Sequence, residues 1–108
     1  MIGSMSEAAN RLRDAAVERA LRGPGTASVE ARQAAFDNTA VDARAKTLVD
    51  KVARTAWKVT GSDVAAVKAA GVSEDEIFEL AVCAAFGQAT RQRRTAMAAL
   101  DAVTGDRR

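Results

Sequence analysis

The stretch Ile77–Arg94, IFELAVCAAFGQATRQRR, decides how this chain is read. Its first ten residues hold one charge, Glu79, and its last four hold three arginines. Apolar residues recur on every face of a helix drawn through 77–86, and such a helix needs cover on every face. A chain of 108 residues folds as one domain with a modest core. Few helices are then left to supply that cover. The expected solution is burial partly against other subunits, with cover by the chain's own helices as the alternative. Past Gly87 the helix emerges, and Arg91, Arg93 and Arg94 reach water or an acidic neighbour.

Working outward, the start of this helix carries the strongest signal in the chain. In GVSEDEIFEL, Ser73 is an N-cap and Glu76 stands three residues on, which is a capping box. Val72 before the cap and Ile77 at the fourth helical position form a hydrophobic staple. Glu74 and Asp75 complement the helix dipole. The helix is expected to run to about Ala102. Gly87 inside it costs about 1 kcal/mol relative to alanine, which marks close approach of another helix.

Upstream, Ser6 is read as the cap of a first helix with Ala9, Leu12, Ala16, Val17, Ala20 and Leu21 on one face. Arg22–Thr26, RGPGT, ends it with a glycine and the only proline. Ser28 caps a short second helix through VEARQAAFDN, weakly broken at Asn38 and Thr39. A third helix is expected from about Val41 to Trp57, with Leu48, Val49, Val52, Ala53, Ala56 and Trp57 inward. Ser62 is read as the cap of a short fourth helix, DVAAVKAA, closed by Gly71. Alternation at period two is absent, so the fold class is all-α with about five helices and a long buried C-terminal helix. Residues 1–5, with a second methionine at Met5, are read as a disordered or vector-derived tail, 6–102 as the helical domain and 103–108 as a C-terminal tail.

Composition narrows the chemistry. There is no histidine and one cysteine, Cys83. Histidine acid–base catalysis, an intramolecular disulfide and a two-cysteine redox cycle are therefore excluded, and a protein-only metal site is not expected. Cysteine usage fits a reducing cytoplasm. No apolar run is long enough for a membrane span, and the N-terminus lacks the apolar core of a signal peptide. Net charge is +2 with acidic and basic residues interspersed, as on a solvated surface.

The segment VTGSDVAAVKAAGVSEDEIFELAVCAAFGQATRQRRTAMAAL, Val59–Leu100, resembles the carboxymuconolactone decarboxylase and alkylhydroperoxidase D-like family. The features that carry the resemblance are the AAGVSEDEIFEL junction, a short helix closed by Gly-x-Ser, and the alanine-rich helix after it. Leu48–Trp57 matches more loosely. The resemblance implies an all-helical bundle that assembles as a homotrimer or homohexamer. Redox members carry Cys-x-x-Cys-x-x-x-His ahead of the junction. Those positions fall here on Ala56, Val59 and Asp63, so all three are replaced. Cys83 lies elsewhere and does not substitute by spacing. Thiol peroxidase activity is therefore expected to be absent, and decarboxylase chemistry that uses a histidine is in question.

The candidate catalytic residues are Glu79, Asp63 and Lys58, with Trp57, Phe78, Cys83 and Phe86 as a ligand pocket. No cofactor or metal is expected. Each residue also has a plainer assignment. Glu79 is the partner of an arginine such as Arg54 across a subunit boundary, or lies on a partly solvated face. Trp57 packs in the core, Lys58 is surface, and Asp63 compensates a helix dipole. Flanked by alanines and Phe86, Cys83 reads as a buried structural thiol. Three functions follow: a cofactor-independent lyase or isomerase working by acid–base chemistry, a non-catalytic oligomer that binds a ligand or protein, and a weak nucleic-acid binder through Arg91–Arg94. The last is ranked lowest, because a DNA-binding protein normally shows a wider basic stripe.

Overall fold

The structure is a computed structural model that describes residues 2–105, with side chains from Ser6 onward. Helix α1 spans Ile2–Arg22, α2 Val29–Asp37, α3 Lys46–Thr55, α4 Gly61–Ala69 and α5 Glu74–Gly105, with a single 3-10 turn, Ala56–Lys58, after α3. The described residues contain no strand, so the all-α expectation holds. Helix already occupies residues 2–5 and continues through 103–105, beyond both expected domain ends. The rest of the expected C-terminal tail lies outside the described residues.

The junction into α5 forms as its sequence dictates. Glu76 N donates to Ser73 Oγ at 3.2 Å, and Ser73 N donates to Glu76 Oε1 at 3.4 Å. Ahead of it, α4 ends with Gly71 at φ 102°. Gly71 N donates to Lys68 O and Val72 N to Val67 O, a Schellman closure that needs a residue tolerant of positive φ. Ser28 caps α2 by accepting from Ala31 N at 3.0 Å.

Two starts differ from expectation. Thr60, not Ser62, caps α4, because Asp63 three residues later completes a reciprocal capping box with it. Helix α3 begins at Lys46 rather than Val41. Asp42 accepts from both the amide and the guanidinium of Arg44, which commits residues 42–45 to a turn. The Arg44 guanidinium, then its amide, hold the Asp42 carboxyl down at about 2.

The core gathers Leu21, Ala27, Ala35, Leu48, Val49, Val67, Val72, Ile77, Leu80, Cys83 and Ala84. Its centre is the crossing of α2 on α5. A Cβ added at Gly87 would stand 1.9 Å from the Phe36 carbonyl oxygen. The glycine thus marks close approach of a helix, as expected, and that helix is α2 of the same chain.

The chain's own helices do not enclose α5. Phe78 is 69% exposed and Ala85 is exposed. Beyond Gln92 most of the helix is exposed, including Met97, Leu100 and Val103. Helix α1 runs antiparallel along it: Ala20 meets Cys83 and Asn10 meets Arg93. Only Val17, Ala20 and Leu21 of the expected α1 face reach the core. Leu12 is 74% exposed, and Ala9 and Ala16 are exposed. The result is an elongated molecule of 56 × 27 × 22 Å with a radius of gyration of 16.4 Å, against about 13 Å for a compact chain of this length.

Candidate functional site

Glu79 lies on the second turn of α5, and its partners come from the link between α1 and α2. Oε2 accepts from Thr26 N at 2.8 Å and Oε1 from Ala27 N at 2.9 Å. The carboxylate therefore answers two backbone amides of a turn 52 and 53 residues away. Gly25 lies against it, and a Cβ there would stand 2.6 Å from Oε1. Arg54 is not its partner within the chain, since its Nε donates to Asp50 at 2.8 Å. A carboxylate satisfied by backbone amides fixes a loop. Both of its oxygens are occupied by the chain's own amides.

Asp63 is also engaged. Oδ2 accepts from Thr60 N at 2.9 Å, and Lys51 Nζ lies 3.0 Å from both carboxylate oxygens. The Thr60 amide, followed by the Lys51 ammonium, lowers its pKa below the ordinary aspartate value. Such a group stays ionised near neutrality and is poorly suited to donating a proton. Helix-start compensation, the plainer assignment, describes what it does.

Trp57 is the largest departure from expectation. It was expected to face inward and is 79% exposed. The 3-10 turn at Ala56–Lys58 tightens the chain after α3, and the 3.6-residue period that would carry Trp57 inward ends there. Ala56 is exposed for the same reason, as is Lys58.

Cys83 is buried, and its Sγ lies 3.5 Å from Ala20 O. Burial raises the pKa of its thiol, with the nearby Arg32 charge opposing and Glu79 reinforcing the shift. This is a structural thiol with little thiolate character. Phe86 is half-buried. No hydrogen bond or ion pair joins Glu79, Asp63 and Lys58 to one another among the described residues. None of five surface clefts of about 320 to 520 Å³ is lined by any of the candidate site residues. These five clefts lie elsewhere on the surface.

Two groupings escaped the sequence reading. Arg32 is 4% exposed and donates through Nη1 to Gly23 O at 2.7 Å and Ala20 O at 3.2 Å. It satisfies the carbonyls that end α1. The other is a cleft of about 350 Å³ between α1 and α5 that contains Arg13, Arg93 and Arg94. Only the Arg93–Arg94 pair, inside RQRR, drew attention in the sequence, because Arg13 approaches from the other end of the chain.

The described residues hold no group of three or more side chains suited to a metal, and none of their helices is long and apolar enough to cross a membrane. Compared with known proteins, the chain matches no family model, no curated protein and no solved structure.

Proposed function

We propose that this chain is a carboxymuconolactone decarboxylase-like protein that has left the family's redox chemistry and acts as a homo-oligomeric binding module in the cytoplasm. The observation that carries this reading is the engagement of Glu79. The one carboxylate in the apolar decade of α5 is committed to the Thr26 and Ala27 amides, and Asp63 to the Thr60 amide and Lys51, so both candidate carboxylates are engaged within the chain. Replacement of the Cys-x-x-Cys-x-x-x-His positions by Ala56, Val59 and Asp63 supports the loss of thiol chemistry. The uncovered apolar side chains of α5 support assembly into a trimer or hexamer, since large apolar surface left by one chain is commonly covered by another.

The second reading is a cofactor-independent lyase or isomerase. It is favoured by the exposure of Trp57 and Phe78, because a pocket built from them would be completed by a neighbouring subunit. Nucleic-acid binding through Arg91–Arg94 ranks below both. Arg91 already donates to Phe36 O at 2.7 Å.

Native mass spectrometry of protein purified gently at low salt tests the assembly. A trimer or hexamer is the expected result, and a retained small molecule would define the ligand class. A clean monomer would remove both the assembly and the main support for the family reading. An oligomer in which Glu79→Gln abolishes turnover of any candidate hydroxy- or keto-acid would favour the enzyme reading instead.

A further inference from the structure

The cleft between α1 and α5 is independent of the family resemblance. Its walls include Arg13 from α1 and Arg93 and Arg94 from α5. Arg13 Nη2 donates to Asn10 Oδ1 at 2.8 Å, and Arg93 Nη2 donates to the same oxygen at 2.9 Å. Two guanidinium groups from opposite ends of the chain thus converge on one neutral amide oxygen. Like charges held this close lower their energy by taking up an anion. None of the three arginines has a carboxylate of the described residues within ion-pair distance.

Two acidic residues, Asp14 and Glu18, also line the cleft. Glu18 is already matched, its Oε1 lying 2.9 Å from Arg22 Nε. That leaves Asp14 against three arginines, and the cleft is positive. Its floor is apolar: Val17 and Phe36 line it and pack against the core. Thr90 adds a hydroxyl to the wall. The volume, about 350 Å³, falls at the small end of ligand sites.

We propose that this cleft binds a small organic carboxylate, with the carboxylate between Arg13 and Arg93 and the apolar body over Phe36 and Val17. The planar fork of each guanidinium suits a carboxylate. An inorganic oxyanion would satisfy the arginines equally but would leave the apolar floor unused.

The test is an NMR titration of the full chain at low salt with three probes: benzoate, benzamide and inorganic phosphate. Benzoate is expected to shift the amides of Arg13, Phe36 and Thr90 with saturable binding. Benzamide, its neutral counterpart, should produce no saturable shift. Phosphate is expected to bind at least tenfold more weakly. Arg93→Gln and Arg13→Gln, each first shown by circular dichroism to keep the wild-type helix content, should each weaken benzoate at least tenfold. Asp14→Asn, which removes the one acidic charge of the cleft not already paired, should tighten it. Equal binding of phosphate and benzoate would overturn the organic-ligand assignment. Shifts confined to other parts of the chain, or benzoate binding unchanged in both arginine variants, would overturn the site.

Discussion

Gly87→Ala is the sharpest test of the packing at the centre of the molecule. On an exposed helix the change would stabilise by about 1 kcal/mol, because alanine is the better helix former. Here the added methyl carbon would sit 1.9 Å from Phe36 O, 2.7 Å from its carbonyl carbon and 2.9 Å from its Cα. All three are backbone atoms, so no side-chain rotation relieves the clash. The helices must part by roughly 1 Å, and a close-packed interior resists this. The same Phe36 carbonyl accepts from Arg91 Nη1 at 2.7 Å, and parting α2 from α5 stretches that bond too. Overpacking of this kind typically costs about 1–3 kcal/mol, and occasionally more. Because only backbone atoms can yield, the cost falls in the upper part of that range, about 2–3 kcal/mol. Set against the propensity gain of about 1 kcal/mol, the expected outcome is a net loss of about 1–2 kcal/mol. That corresponds to a fall in Tm of about 4–16 °C for a domain of this size. Thermal and urea unfolding followed at 222 nm would measure it. Gly61→Ala is the control: nothing lies within 4 Å of its added Cβ, and at the exposed first residue of α4 the change should be neutral to stabilising, by up to about 1 kcal/mol. If Gly87→Ala were as stable as the wild type or more so, the close crossing of α2 and α5 would be refuted.

Three further outcomes are expected. Glu79→Gln keeps one acceptor for the Thr26 and Ala27 amides and loses the charge, so urea unfolding should show a loss of about 1–3 kcal/mol; an unchanged midpoint would mean the carboxylate does not hold the link. Asp63 has a folded-state pKa below its unfolded value, so its stabilisation is complete above the unfolded pKa and disappears as pH falls through the folded one. Urea midpoints measured between about pH 5 and pH 2 should therefore fall less steeply in Asp63→Asn than in the wild type, and parallel curves would contradict the assignment. Cys83 should react with a disulfide reagent at least about a hundredfold more slowly in the native protein than in urea; rapid native labelling would mean that the thiol is not enclosed.

How much of this was legible in the sequence depended on how far apart the interacting residues lie. Ser73 with Glu76, Ser28 before α2 and Gly71 after α4 act within a few residues, and the sequence states them outright. The Thr60 and Asp63 box was equally local, but Ser62 drew the reading because it stands beside the glycine. Trp57 sits in register with the apolar period of α3, but that period stops at Thr55, where the chain tightens into the 3-10 turn. Glu79 was recognised as exceptional, yet its partners are amides carried by residues whose side chains give no hint of the role. Arg32 was passed over for the same reason, since it answers carbonyls. The convergence of Arg13 and Arg93 needs the antiparallel pairing of the first and last helices, which no local pattern encodes.

The attachment of α1 bears on the order in which parts of the molecule open. The helix is joined to the rest through the α1–α2 link and a line of contacts with α5. Three side chains outside it, those of Arg32, Glu79 and Cys83, hold its last turn and that link. Lifting α1 away breaks these contacts together but leaves the crossing of α2 on α5 in place. Such a segment behaves as its own cooperative opening unit. Amide protons of α1 should exchange with solvent at a common, intermediate rate, ahead of those near Ala35 and Ala84. The arginine cleft, which needs α1 as one wall, would then exist only while that unit is closed.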